Sequence, residues 1–399
     1  MDALMLLSNW QRVRLGDIAE INPPTIIPNV FYYIDLENVE KGQLLNKQLM
    51  TKNKAPSRAR RLLSKNDILY QLVRPYQRNN YFFTLNGNYV ASTGYAQIRT
   101  LQNPSFLYFA LHSNYFVNAV LDRCEGTSYP AINSNELKKC EVILPPLNEQ
   151  IAIANILSGL DRYLYALDAL ILKKEGVKKA LSFELLSQRK RLKGFNQAWQ
   201  RVRLGDIGIT ISGLVGKTKQ DFINGNAKYI TFLNVLNNVI IDTSILENVK
   251  IYPNEKQNSF KKYDLFFNTS SETPKEVGMC AVLLDDIDQV FLNSFCFGFR
   301  IFDKAVDGLF LSYLINSEIG RKAFENLAQG STRYNLSKSG FNNVCLSLPP
   351  LNEQIAIANI LSALDNEITS LKNKKRQFEN IKKALNHDLM SAKIRVLKK

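Results

Sequence analysis

Side chains able to read a polyanion gather in a few polar stretches of this sequence. The richest is 71–80, where Arg74, Tyr76, Gln77, Arg78 and Asn79 follow a strand-like Asp67-Ile68-Leu69-Tyr70. An arginine can fork onto guanine, and an asparagine or glutamine onto adenine. Ser92, Thr93 and Tyr95 form a second stretch, and Thr127 and Ser128 a third. In the second half of the chain, Thr269, Ser270, Ser271, Glu272, Thr273 and Lys275 follow Leu265-Phe266-Phe267. Hydroxyls there can reach phosphate or bases, and a glutamate can accept from the cytosine amino group. Ser331, Thr332 and Arg333 form the last candidate group. An ordinary polar loop is the plainer alternative at each place.

Catalytic signatures fail one by one. Gly213-Leu214-Val215-Gly216-Lys217-Thr218 resembles a phosphate loop, but Ile211 stands where the first glycine is required. Asn22-Pro23-Pro24 resembles an adenine methyltransferase motif, but Thr25 replaces the aromatic that would stack on a flipped base. The two histidines, His112 and His387, lie in different segments, so a histidine triad or metal cluster is not expected. Asp285-Asp286-Ile287-Asp288 reads more readily as a solvated turn than as a cation site. The five cysteines are scattered without a CxxC pair, which fits buried thiols in a reducing cytoplasm. The opening MDALMLLSNW lacks a basic region and a long apolar stretch, so no signal peptide is expected, and no apolar run suggests a membrane span.

The formal charge of +15 points to a polyanionic partner. Residues 172–203 carry ten Lys/Arg against two Asp/Glu, and residues 372–399 carry the same. Each segment is therefore +8, and the rest of the chain is about −1. Solvated helix faces and surfaces facing phosphate or an acidic partner are both open readings.

Those two segments occupy equivalent places because the chain is a duplication. Trp-Gln-Arg-Val-Arg-Leu-Gly-Asp-Ile occurs at 10–18 and again at 199–207, and LPPLNEQIAIANILS at 144–158 and again at 348–362. The stretches between, 19–143 and 208–347, are mostly unlike. Identical blocks suit one job done twice, such as holding two copies of one partner. Divergent blocks in equivalent positions suit two different targets.

The elements that would carry this plan can be sketched. After each Pro-Pro a helix is expected, with Asn148 and Asn352 as caps and Glu149 and Glu353 at the positive dipole end. The first helix is predicted from about 149 towards 191, with Leu157, Leu160, Leu164, Leu167 and Ile171 at coiled-coil spacing and Val177, Leu181 and Leu185 prolonging the stripe. The second carries Leu361, Leu364, Ile368 and Leu371, then Phe378, Ile381, Leu385 and Leu389. Gly176 is a potential bend. Forty-odd residues make a rod of roughly 60 Å. Two such rods would pack on each other and space the variable regions. Those regions read as mixed α/β, with strands near 31–34, 81–83, 229–232, 281–284 and 295–297 and short helices near 104–121 and 307–328.

The doubled LPPLNEQ block with a long helix behind it, the doubled Val-Arg-Leu-Gly-Asp-Ile entry, the two divergent regions and the run NTSSETPKEVG at 268–278 resemble the specificity (S) subunits of type I restriction–modification systems. The resemblance covers essentially the whole chain. It implies an α+β fold in which two mixed α/β target-recognition domains are separated by two long antiparallel coiled-coil helices with an internal pseudo-twofold repeat. The expected boundaries are 1–147 for the first recognition domain, 148–192 for the central helix, 193–351 for the second domain and 352–399 for the distal helix. It further implies a non-catalytic cytoplasmic subunit that reads a split, asymmetric site in double-stranded DNA. Its partners would be two methyltransferase subunits and, where present, two endonuclease subunits, with S-adenosylmethionine, ATP and Mg held by those partners and no cofactor on this chain. The near-neutral variable regions depart from a simple DNA-binding surface and shift attention to the basic helices.

Overall fold

The repeated Gln-Arg-Val-Arg becomes a strand in both places. Gln11–Arg14 pairs antiparallel with Glu141–Leu144, and Gln200–Arg203 pairs antiparallel with Cys345–Leu348. Each constant block therefore fastens the start of a variable region to its end. The structure is a computed structural model that describes residues 9–325, 327–330 and 332–396. The opening residues on which the leader expectation rested, Ser331, and the last three residues of the distal segment lie outside these. The chain divides into one unit of Met1–Ala169 with Lys372–Lys399 and another of Leu170–Leu371.

The first unit holds two four-stranded sheets. In one, Val30–Ile34 lies between Gln48–Thr51 and a parallel neighbour, Tyr89–Ser92, which also pairs with Ala59–Leu62. In the other, Tyr95–Thr100 lies between Ala19–Ile21 and Ile68–Gln71, all antiparallel, with Tyr81–Phe82 outside. The second unit repeats this plan in unlike sequence. Ala227–Ile230 lies between antiparallel Glu247–Val249 and parallel Val290–Leu292. Cys296–Ile301 lies between Gly208–Ser212 and Leu265–Asn268, with Cys280–Val282 outside. One topology thus survives in two sequences because it needs only buried apolar positions along the inner strands. Leu265, Phe266 and Phe267, for instance, are all fully buried.

The expected short helices appear as Pro104–Ala110 with Asn114–Leu121, and as Gly308–Asn316 with Glu318–Glu325. The run 229–232 is not all strand. Phe232 opens the helix Phe232–Asn237 because the Thr231 side chain accepts from Asn234 N and caps it. The predicted run 281–284 forms strand only over Cys280–Val282, and 295–297 is the entry to the longer Cys296–Ile301.

Both long helices form, as Leu147–Leu186 and Leu351–Met390. They begin one residue before the expected caps. The carbonyls of Pro146 and Pro350 accept from the backbone N–H groups three and four positions on, so these prolines occupy the cap position instead of Asn148 and Asn352. The first ends five residues short of 191, where Gln188 adopts φ 62° and Lys190 N returns to Glu184 O at 3.0 Å. It runs unbroken through Gly176.

Leu157, Leu167, Ile171, Leu361 and Ile368 are buried, and Leu160, Leu164, Leu364 and Leu371 are half-buried. Val177 and Ile381, read as members of the same stripe, are instead 45% and 48% exposed. Within the first unit, Tyr163 packs on Phe378, and Lys375 pairs with Asp168 and Lys382 with Asp161. Within the second, Lys174 pairs with Glu367 and Lys178 with Asp365. In each unit the later part of one helix thus runs against the earlier part of the other, in antiparallel order. Ile153 and Leu157 join Leu389 and Met390 in the core of the first unit, and Leu185 and Leu186 join Ile357 and Leu361 in that of the second.

Candidate DNA interface

The three candidate stretches of the first unit meet at one end of a strand. Beyond Ile68–Gln71, Leu72 N donates to Gly94 O at 2.9 Å and Ile132 N donates to Leu72 O at 3.0 Å. The 71–80 loop is thereby held beside the 92–95 turn and the 127–132 segment. Arg74 and Arg78, at φ 54° and 55°, bracket the turn Pro75–Gln77. Arg74 N donates to Pro130 O at 2.7 Å, and its guanidinium carbon lies 4.1 Å from the Tyr129 ring centroid. Tyr76, 49% exposed, stands in the same area as exposed Gln77, Thr127 and Ser128.

Other members are engaged in the fold. Arg78 donates to His112 O at 2.9 Å and to Asn114 Oδ1 at 2.8 Å, which ties it to the junction of the two short helices. Gln77 Oε1 accepts from Gln71 Nε2 at 2.9 Å, and Asn79 Oδ1 accepts from Lys41 N at 3.2 Å. Ser92 is buried, with Oγ accepting from Gly94 N at 3.2 Å, and Thr93 N donates to Arg58 O at 2.8 Å. Tyr95 is fully buried, and burial pushes its phenol well above the usual value.

The second unit builds the same junction. Thr269 N donates to Phe295 O at 2.9 Å and Leu336 N donates to Thr269 O at 2.8 Å, the counterparts of the two bonds at Leu72. Asn268, fully buried, donates to Glu276 O at 2.8 Å and accepts from Met279 N at 2.7 Å, so one amide shapes the loop from 269 to 279. Ser270 and Ser271 are buried and pair with Tyr334–Asn335, and Ser271 Oγ donates to Glu276 at 2.7 Å. Glu272, Thr273 and Lys275 are exposed on that loop. Thr332 and Arg333 are exposed, and Arg333 lies 5.6 Å from the exposed Phe295 ring, as Arg74 lies near Tyr129.

The lysine of the sequence that resembles a phosphate loop is taken up by the fold. The Lys217 side chain is covered and spent on Lys250 O at 2.6 Å and Glu255 at 2.5 Å. Among the described residues no group of His, Cys, Asp and Glu could hold a metal ion, and no helix is long and apolar enough to cross a membrane.

Sequence reasoning missed two charged clamps at the constant blocks. Glu353, fully buried, receives Arg191 Nε at 2.7 Å and Nη2 at 2.6 Å. Glu149, also buried, receives Trp10 Nε1 at 2.9 Å and Arg395 Nε at 3.2 Å. The arginine behind each long helix thus pairs with the glutamate that opens the other. The signal was present: Arg191 and Arg395 are 204 residues apart, as are Glu149 and Glu353. A second duplicated pair, Arg99 on Asp67 and Arg300 on Asp264, ties each central strand to its neighbour.

Two recognition-type modules of one topology, with unlike loops and shared fastenings, define a duplicated scaffold. A family model for the type I restriction modification DNA specificity domain matches residues 7–174 and again 196–380. The chain belongs to that family. It is 25% identical over 422 residues to the type I restriction enzyme MjaVIII specificity subunit of Methanocaldococcus jannaschii, covering 99% of this chain and 95% of that one. Its fold is similar to the S subunit of a type I restriction-modification system from M. genitalium, with a TM-score of 0.62, 17% identity and coverage of 98% and 99%. It is also similar to the HsdS subunit from Thermoanaerobacter tengcongensis, with a TM-score of 0.50, 21% identity and 98% of each chain covered.

Proposed function

We propose that this chain is the DNA-reading subunit of a type I restriction–modification assembly. Each unit recognises its own half of a split, asymmetric site in double-stranded DNA. The constant blocks hold two methyltransferase subunits and, where the system has them, two endonuclease subunits. The chain itself is non-catalytic and works in the cytoplasm; S-adenosylmethionine, ATP and Mg belong to its partners. The observation that carries this reading is the repeated junction at Leu72 and Thr269, where equal backbone bonds present unlike side chains. Within it, Arg74, Tyr76, Gln77, Thr127 and Ser128 serve one half-site, and Glu272, Thr273, Lys275, Thr332 and Arg333 the other. The test is to replace residues 19–143 with the corresponding region of a related chain and map methylated adenines in cells holding the partner. One side of the modified motif should change and the other persist. Persistence or replacement of both sides would overturn the proposal.

A further inference from the structure

The first unit contains a cationic cleft. Asn22-Pro23-Pro24-Thr25 forms one wall and residues 52–61 the other, around a volume of about 470 Å3 floored by Phe31. Lys52, Arg60 and Arg61 line it, and no carboxylate does. Arg61 stands on the strand Ala59–Leu62, and its Nε is buried without a hydrogen-bond partner. A buried donor left without a partner is costly, and an anion seated in the cleft would complete it. Burial and the neighbouring Arg60 both disfavour the Arg61 charge, and an anion would relieve both.

The second unit shows the same place with its charge already answered. There residues 213–226 and 250–260 stand at the equivalent edges of the equivalent sheet. Lys217 meets Glu255 at 2.5 Å, Tyr252 donates to Asp221 at 3.1 Å, Gln257 donates to Val215 O at 2.7 Å and Asn226 to Ile251 O at 3.0 Å. The protein supplies its own acids and closes the gap. In the first unit neither wall does so.

We infer that the cleft between residues 22–27 and 52–61 takes a phosphate group, specifically a backbone phosphodiester of bound DNA, on Arg61, Arg60 and Lys52. Guanidinium forks match phosphate oxygens. Such a contact positions the duplex and carries no base information. The inference rests on the DNA-reading function proposed above.

The test compares wild type with Arg61→Gln and Arg61→Lys, each as the full chain assembled with its methyltransferase partner, by fluorescence anisotropy, on a duplex bearing the methylated motif and on an unrelated duplex, across a salt series. Losing one phosphate contact should lessen the slope of log affinity against log salt by about one. Arg61→Gln should weaken binding by the same factor on both duplexes, and Arg61→Lys should retain most of it. Should Arg61→Gln melt at a lower temperature, the exposed-rim variants Arg60→Gln and Lys52→Gln replace it. A second arm follows the melting temperature of wild type in millimolar inorganic phosphate against chloride. A lessened slope supports the DNA source. An unchanged slope with stabilisation by inorganic phosphate assigns the cleft to free phosphate and overturns the DNA source. Loss on one duplex only marks a base contact and overturns the inference, as does no effect in either arm. If wild type binds neither duplex, the DNA-reading function falls, and the phosphate arm alone decides the cleft.

Discussion

Arg74 and Arg78 stand four residues apart in one polar loop, yet their surroundings assign them different work. The Arg74 guanidinium rests on Tyr129 beside exposed hydroxyls, and that of Arg78 is tied to His112 O and Asn114. Arg74→Ala should therefore alter the preference for one half of the methylated motif, at a cost of about 1–3 kcal/mol per base contact. Arg78→Ala should leave the motif unchanged and lower stability by about 1.5–3 kcal/mol, the worth of hydrogen bonds to a charged group. Methylation mapping and urea unfolding separate the two, and an altered motif in Arg78→Ala would reverse the assignment. His112 gives a pH signature. Burial pushes its imidazole down to about 4, with Nδ1 2.7 Å from Tyr108 O. Between pH 6.5 and 4 the unfolded chain binds the proton that the folded chain refuses. The stability this residue contributes is complete above pH 6.5 and declines as pH falls towards 4, by at most about 1.4 kcal/mol per unit. Urea midpoints of wild type should fall more steeply than those of His112→Asn over that window, and parallel curves would contradict it.

At the scale of elements, the long helices pair through ion pairs as well as leucines. Lys178 and Asp365 lie 2.5 Å apart and are both half-buried. Lys178→Glu should destabilise the chain by about 1 kcal/mol or less, and adding Asp365→Lys should recover most of it in a double-mutant cycle. The clamps are stronger. Arg191→Ala strands the buried Glu353 and should cost about 3–5 kcal/mol. Arg395→Ala should cost less, because Trp10 still serves Glu149. Equal losses would show that the indole bond carries nothing. Much of this level was legible in the sequence. The leucine spacing located both helices, because a 3-4 stripe is a local property of the chain. It failed at Val177 and Ile381 because periodicity shows a stripe but not whether a neighbour reaches that turn. The caps were misplaced because the asparagine side chain is a visible signal in sequence, whereas the helix already begins with the backbone bonds to the preceding proline carbonyl.

For the whole molecule, the duplication was visible in the identical blocks, but the likeness of the regions between them was not. Their shared topology rests on strand order and backbone bonds such as those at Leu72 and Thr269, which leave no common residue types behind. For the same reason the candidate loops could be located but not sorted. Nothing local distinguishes buried Ser92, Tyr95, Ser270 and Ser271 from exposed Tyr76 and Thr273.

Two segments far apart in sequence converge on one carboxylate. Trp10, near the start of the polypeptide, and Arg395, near its end, both bond Glu149. Leu389 and Met390 belong to the core of the unit that also contains residue 10, and the unit formed by Leu170–Leu371 contains none of the closing segment. A ribosome making this protein therefore releases everything the second unit needs before it releases what the first unit lacks. The unit that holds Trp10 is completed by a segment translated after the whole of the other unit, so a chain cut before Leu389 loses part of the first unit's core.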